Sequence, residues 1–158
     1  MDGVQVMLGE DDMVEVFAGD TNLMPGIFGL EMEPSSYAGS SSHVWAAGGL
    51  YPPTTTSPCG VGRINIETGV MEAYYDFTPL RSATYAGGRC LANDITFDDD
   101  NNIYVTDSFG YQVFTIDYAT NQTSVFLDDI NFLCSESSNC MMDDVCTLCG
   151  YNCIIYSG

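Results

Sequence analysis

The sequence predicts an all-β fold assembled from repeated four-stranded antiparallel units. One observation is a period-two alternation of apolar and polar residues in short segments. Turns rich in Gly, Asn and Asp separate them, and no useful stretch has helical periodicity. The other is an internal repeat. Residues 62–76 lie over residues 112–128, each copy a strand, a polar turn and a second strand. The turns are Glu67-Thr68-Gly69 and Ala119-Thr120-Asn121.

The elements follow in chain order. A first hairpin is predicted at 4–8 and 13–17, turning at 9–12. A strand at 26–33 leads through a Ser-rich loop with Pro34 and Gly39 to a strand at 43–47, and the 62–76 hairpin follows. The next unit opens with a strand at 91–98, turns at Asp99-Asp100-Asn101-Asn102, returns at 103–107 and ends in the 112–128 hairpin. Residues 150–156 restart the pattern, so Asn93-Asp94-Ile95 aligns with Asn152-Cys153-Ile154. Four short antiparallel strands per repeat describe a β-propeller blade. The expected divisions are an outer hairpin over 1–20, whole blades over 21–80 and 81–130, a Cys-rich insertion over 131–149 and the first strand of another blade over 150–158. A propeller closes with about 4–8 blades, so the chain is expected to be a fragment of a longer protein. The alternative is a small domain that assembles with copies of itself.

Composition narrows the function classes. The 158 residues carry 22 Asp and Glu against 3 Arg and no Lys, a formal charge of −19. That field repels phosphate backbones and anionic lipid heads, which argues against nucleic-acid partners, and it attracts cations. No apolar run is long enough for a membrane span. With 46% hydrophobic residues, the chain can bury a core. No signal peptide is visible in residues 1–12. Seven cysteines, five of them between Cys134 and Cys153, leave at least one without an internal disulfide partner. Together with the sequon Asn121-Gln122-Thr123, they point to an extracellular or secretory-pathway setting.

Several motifs fail on spacing. The acidic run 98–102 places Ile103 and Phe109 where an EF-hand needs Gly and Glu, so it reads as a solvated hairpin turn. Cys140, Cys146, Cys149 and Cys153 lack paired zinc knuckles and a nearby His, so disulfides pinning the insertion are expected instead. His43, the only His, opens a strand as a packed or surface residue rather than a general base. Tyr74, Tyr104, Phe114 and Phe126 are expected in the core between blades. There is no phosphate-binding Gly-rich loop, Ser nucleophile elbow or basic aromatic stripe.

Residues 91–108, Leu-Ala-Asn-Asp-Ile-Thr-Phe-Asp-Asp-Asp-Asn-Asn-Ile-Tyr-Val-Thr-Asp-Ser, resemble the blade signature of the senescence-marker-protein/gluconolactonase/LRE-like superfamily. Residues 150–156 resemble that family's later Asn-Gly-Ile strand, with Cys153 in place of Gly. NHL-type and other propellers share the general pattern. The resemblance implies a six-bladed propeller with a calcium ion, or another divalent cation, in the central channel. It implies a small-molecule ester or lactone as substrate. Asn93 matches a first-strand Asn lining that site, Asn152 its equivalent one blade later, and Asp94 an Asp serving a second, structural calcium in paraoxonase-like relatives. Two departures stand out. Phe28-Gly29 occupies the earlier copy of Asn93-Asp94, and no residue matches the paraoxonase catalytic His. The expected function is a calcium-dependent lactonase or esterase-like hydrolase, inactive as this piece alone. The alternatives are a non-catalytic extracellular binding propeller and a self-assembling partial propeller.

Overall fold

The computed structural model describes residues 4–7, 14–18, 23–34, 42–84 and 86–128. Asn152, the Cys-rich insertion and the 150–158 strand lie outside them. The described chain is all-β apart from two short 3-10 turns, Thr78–Leu80 and Ala86–Gly88. Strands β1 (Val4–Met7) and β2 (Val14–Ala18) pair antiparallel. Strands β3 (Ile27–Met32), β4 (His43–Gly49), β5 (Cys59–Asn65) and β6 (Met71–Asp76) form one four-stranded antiparallel meander, sheet 1. Strands β7 (Ala92–Phe97), β8 (Ile103–Asp107), β9 (Gln112–Asp117) and β10 (Gln122–Asp128) form a second, sheet 2.

Turn chemistry sets the hairpins. In sheet 1 the Asn65 carboxamide oxygen accepts from the backbone N–H groups of Glu67 and Thr68, each at 3.0 Å, and Gly69 supplies a φ of 68°. In sheet 2 Asp117 Oδ1 accepts from Thr120 N at 2.9 Å, and Asn121 takes the left-handed position at φ 55°. The β7–β8 turn is built on Asp98, whose carboxylate accepts from Asp100 N, Asn102 N, Asn102 Nδ2 and the Tyr104 hydroxyl. Burial raises that carboxyl, but these hydrogen bonds outweigh it and hold Asp98 below the usual carboxylate range. The acidic run is thus a turn.

The matched turns fix which positions of the two sheets correspond. Ile64 matches Ile116, and the strand registers then match Val44 with Ile103, Trp45 with Tyr104, and Leu30 with Ile95. The sheets meet through non-corresponding faces. Sheet 1 contributes Trp45, Ala47, Cys59 and Val61, whereas sheet 2 contributes Ile95, Ile103, Val105, Phe114 and Ile116. The second set corresponds to the opposite face of sheet 1, where Ala46 and Ile64 pack under Met24. Such head-to-tail contact is the heterologous kind, which can be repeated along a stack. The core holds Trp45 stacked on Tyr75 at 5.4 Å and edge-on to Phe97 at 6.0 Å, with Phe77 stacked on Phe114 at 4.5 Å. The Cys59–Cys90 disulfide, both residues fully buried, ties the start of β5 to the chain entering β7.

One expectation is corrected. Phe114 is fully buried, but Phe126 is 62% exposed. Its ring meets Tyr104 edge-on at 4.9 Å on the sheet 2 face turned away from sheet 1. Among the described residues no further sheet covers that face.

Candidate functional site

The sequence-derived candidates Asn93 and Asp94 lie on β7, the edge strand of sheet 2 that runs beside β3, the edge strand of sheet 1. The β7–β8 register shifts between Ala92 and Ile95, so both residues fall in a bulge. A bulge re-aims side chains and frees backbone groups from the ladder. Here Asp94 N donates to Thr106 Oγ1 at 3.0 Å, and Asp94 Oδ1 accepts from Ile95 N at 3.0 Å. Asn93 is buried and Asp94 half-buried. The departure at Gly29 now has a physical reason. A Cβ on Gly29 would overlap the Asn93 carbonyl oxygen, so β3 has no room for a side chain where β7 carries Asp94.

Glu31, two residues along β3 from Gly29, feels the Asp94 charge. Burial raises its carboxyl above the usual range, and the Asp94 charge raises it further. A hard divalent cation takes amide and carboxylate oxygens, and its charge would relieve the repulsion between Glu31 and Asp94. Asn93, Asp94 and Glu31 therefore fit calcium by donor type. Among the described residues, no group of three or more His, Cys, Asp and Glu side chains is arranged to hold a metal. Asn152, the third candidate, lies outside the described residues.

Other residues form clusters that single-sequence reading misses. At the far end of sheet 1, Glu33 is 2% exposed and accepts from Arg63 Nε at 2.6 Å, Arg63 Nη2 at 2.8 Å and Trp45 Nε1 at 2.9 Å. Burial raises the Glu33 carboxyl, but these donors and the Arg63 charge outweigh it and hold it below the usual range. His43 bonds Glu72 through Nε2 at 2.8 Å, and its Nδ1 lies 3.0 Å from Arg63 Nη2. The only His is thus packed into an ionic cap over the Trp45 core, away from Asn93. The cap joins β4, β5 and β6 with Glu33 just after β3, which is why spacing gives no hint of it.

At the opposite end of the stack, Asp107 is 5% exposed. Its Oδ1 accepts from Leu91 N and Phe109 N, each at 2.9 Å, whereas Oδ2 has no hydrogen-bond partner among the described residues. Burial pushes this carboxyl above the usual range. Its position at the end of β8, followed by Ser and a Gly turn, is the one sequence signal it carries, and it reads there as turn chemistry. No family model, no curated protein and no solved structure matches this chain.

Proposed function

We propose that sheets 1 and 2 are successive blades of a β-propeller, and that the chain is a sector of a calcium-dependent lactonase or esterase-like hydrolase of the gluconolactonase-like kind. Head-to-tail contact between non-corresponding faces supports the blade reading, because it leaves a face of each sheet ready for another sheet of the same design. The observation that carries the functional reading is the Asn93–Asp94 bulge on edge strand β7, where Gly29 lets β3 come against it.

In this reading Asn93 and, from the next blade, Asn152 hold the catalytic ion, and Asp94 serves a second, structural calcium. When bound, the calcium supplies Lewis acidity toward an ester or lactone carbonyl. The chain's own contribution is positional. The bulge turns Asn93 and Asp94 out of the ladder, and Gly29 lets β3 approach closely enough to close one side of the site. The substrate is a small ester or lactone, and the setting is extracellular.

Isothermal titration of the whole chain with calcium tests the reading. Binding that weakens at least about tenfold in Asn93→Ala and in Asp94→Ala is the expected result, since each removes one oxygen ligand. Hydrolysis of aryl esters and lactones by the longer protein should require calcium and be abolished by Asn93→Ala. Calcium affinity unchanged in both variants contradicts the assignment.

A further inference from the structure

At the end of the stack where β7 begins, three aromatic rings form a row, two of them exposed and Phe109 half-buried. Tyr51, just after β4, stands between Phe28 of β3, with centroids 6.3 Å apart and planes 56° apart, and Phe109, just after β8, at 6.4 Å and 60°. Tyr51 is 53% exposed and Phe28 39%. Exposed aromatic rings grouped in this way commonly mark a binding surface. The Arg89 guanidinium already lies over the Phe109 ring, 5.4 Å from its centroid, so a cation is accommodated at one end of the row. The Phe28 ring lies at the other end of the row, beside Gly26. Around the whole row, the chain carries a formal charge of −19, which concentrates cations and repels anions.

We propose that the Phe28–Tyr51–Phe109 row binds an organic ammonium cation, with the alkylammonium group seated against Phe28 and Tyr51. Ring faces carry negative electrostatic potential, and alkyl groups on the nitrogen weaken its hydration, so a quaternary ammonium gains more here than a small hydrated ion. Arg89 shows the mode at Phe109, and the ligand repeats it at the Phe28 end, away from that guanidinium. The inference is independent of the calcium reading, because it uses rings rather than oxygen ligands.

The test is titration of the whole chain with choline and with its uncharged isostere 3,3-dimethyl-1-butanol, in buffer with chelator and physiological salt. Choline should bind and the isostere should bind much more weakly. Tyr51→Ala and Phe28→Ala should each weaken choline by about fivefold to tenfold, and Tyr51→Phe should retain it. The alanine variants leave the net charge unchanged, so a loss in them reports the rings and not the field. Three results would overturn the proposal: no choline binding, equal binding of the uncharged isostere, or unaltered affinity in both alanine variants.

Discussion

Sheet 1 and sheet 2 repeat one topology, yet corresponding positions have different surroundings. Trp45 is fully buried beneath sheet 2, whereas its counterpart Tyr104 is half-exposed beside Phe126. Ile95 is 4% exposed against sheet 1, whereas its counterpart Leu30 is 49% exposed. Phe114 fills the inter-sheet core where sheet 1 has Gly62, and there Met24 and Met71 occupy the space a side chain would need. Residue pattern selects the strand and its register, but burial depends on the neighbour each face meets. The Glu33–Arg63–His43–Glu72 cap of sheet 1 is ionic, whereas the matching places of sheet 2 hold Asp98 by hydrogen bonds from Asn102 and Tyr104, and the disulfide at Cys59 ties sheet 1 to the chain entering sheet 2.

The largest expected effect comes from truncating the matched aromatic pair. Trp45→Ala should destabilise by about 3–5 kcal/mol in denaturant unfolding, and Tyr104→Ala by about 1 kcal/mol, because only the first leaves a sealed cavity. Equal losses would erase the contrast. Replacing both Cys59 and Cys90 by Ala should cost about 3–4 kcal/mol, since the bridge closes a loop with a sequence separation of 31 residues. The check is that the wild type melts above the double variant in non-reducing buffer and that reducing agent removes most of the difference between them.

Glu33→Gln should cost about 2–3 kcal/mol at neutral pH, as it removes the charge from hydrogen bonds to Arg63 that remain partly screened by water. The pH dependence separates the two sheets further. Glu33 is held below its unfolded value, so its contribution is present above about pH 4.5 and is lost as pH falls through its lowered folded pKa. Asp107 is raised, so its sign is opposite. Its penalty is full above the raised folded pKa and disappears as pH falls toward the unfolded value of about 3.8. Unfolding curves between pH 3 and pH 7 should therefore steepen in Asp107→Asn, which removes the opposing component, and flatten in Glu33→Gln. The smallest effect belongs to Phe126→Ala, about 0.5 kcal/mol for a ring already in water. A loss of several kcal/mol there would mean that a further layer covers this face.

Much of the architecture was legible from residue types. The Glu67-Thr68-Gly69 and Ala119-Thr120-Asn121 turns announce their hairpins because few residues adopt positive φ. The predicted strands match the observed ones to within a few residues: 26–33 is Ile27–Met32 and 91–98 is Ala92–Phe97. Burial on the outer faces was not legible. Phe126 alternates as a core residue does, and only the absence of a facing sheet among the described residues leaves it wet. The Cys59–Cys90 pairing and the Glu33 cap join residues about thirty positions apart, and nothing local encodes such contacts. At the candidate site, the Asn93-Asp94 pair was visible as residue types. The bulge that re-aims it, and Glu31 as its neighbour on another strand, emerge only from strand pairing.

Sheet 1 and sheet 2 stack through non-corresponding faces, with Trp45 edge-on to Phe97. A double-mutant cycle of Trp45→Leu and Phe97→Leu measures that contact directly. A coupling energy of about 0.5–1.5 kcal/mol between the two substitutions is expected. Additivity within about 0.3 kcal/mol would contradict it, because residues on faces that do not meet have nothing to share.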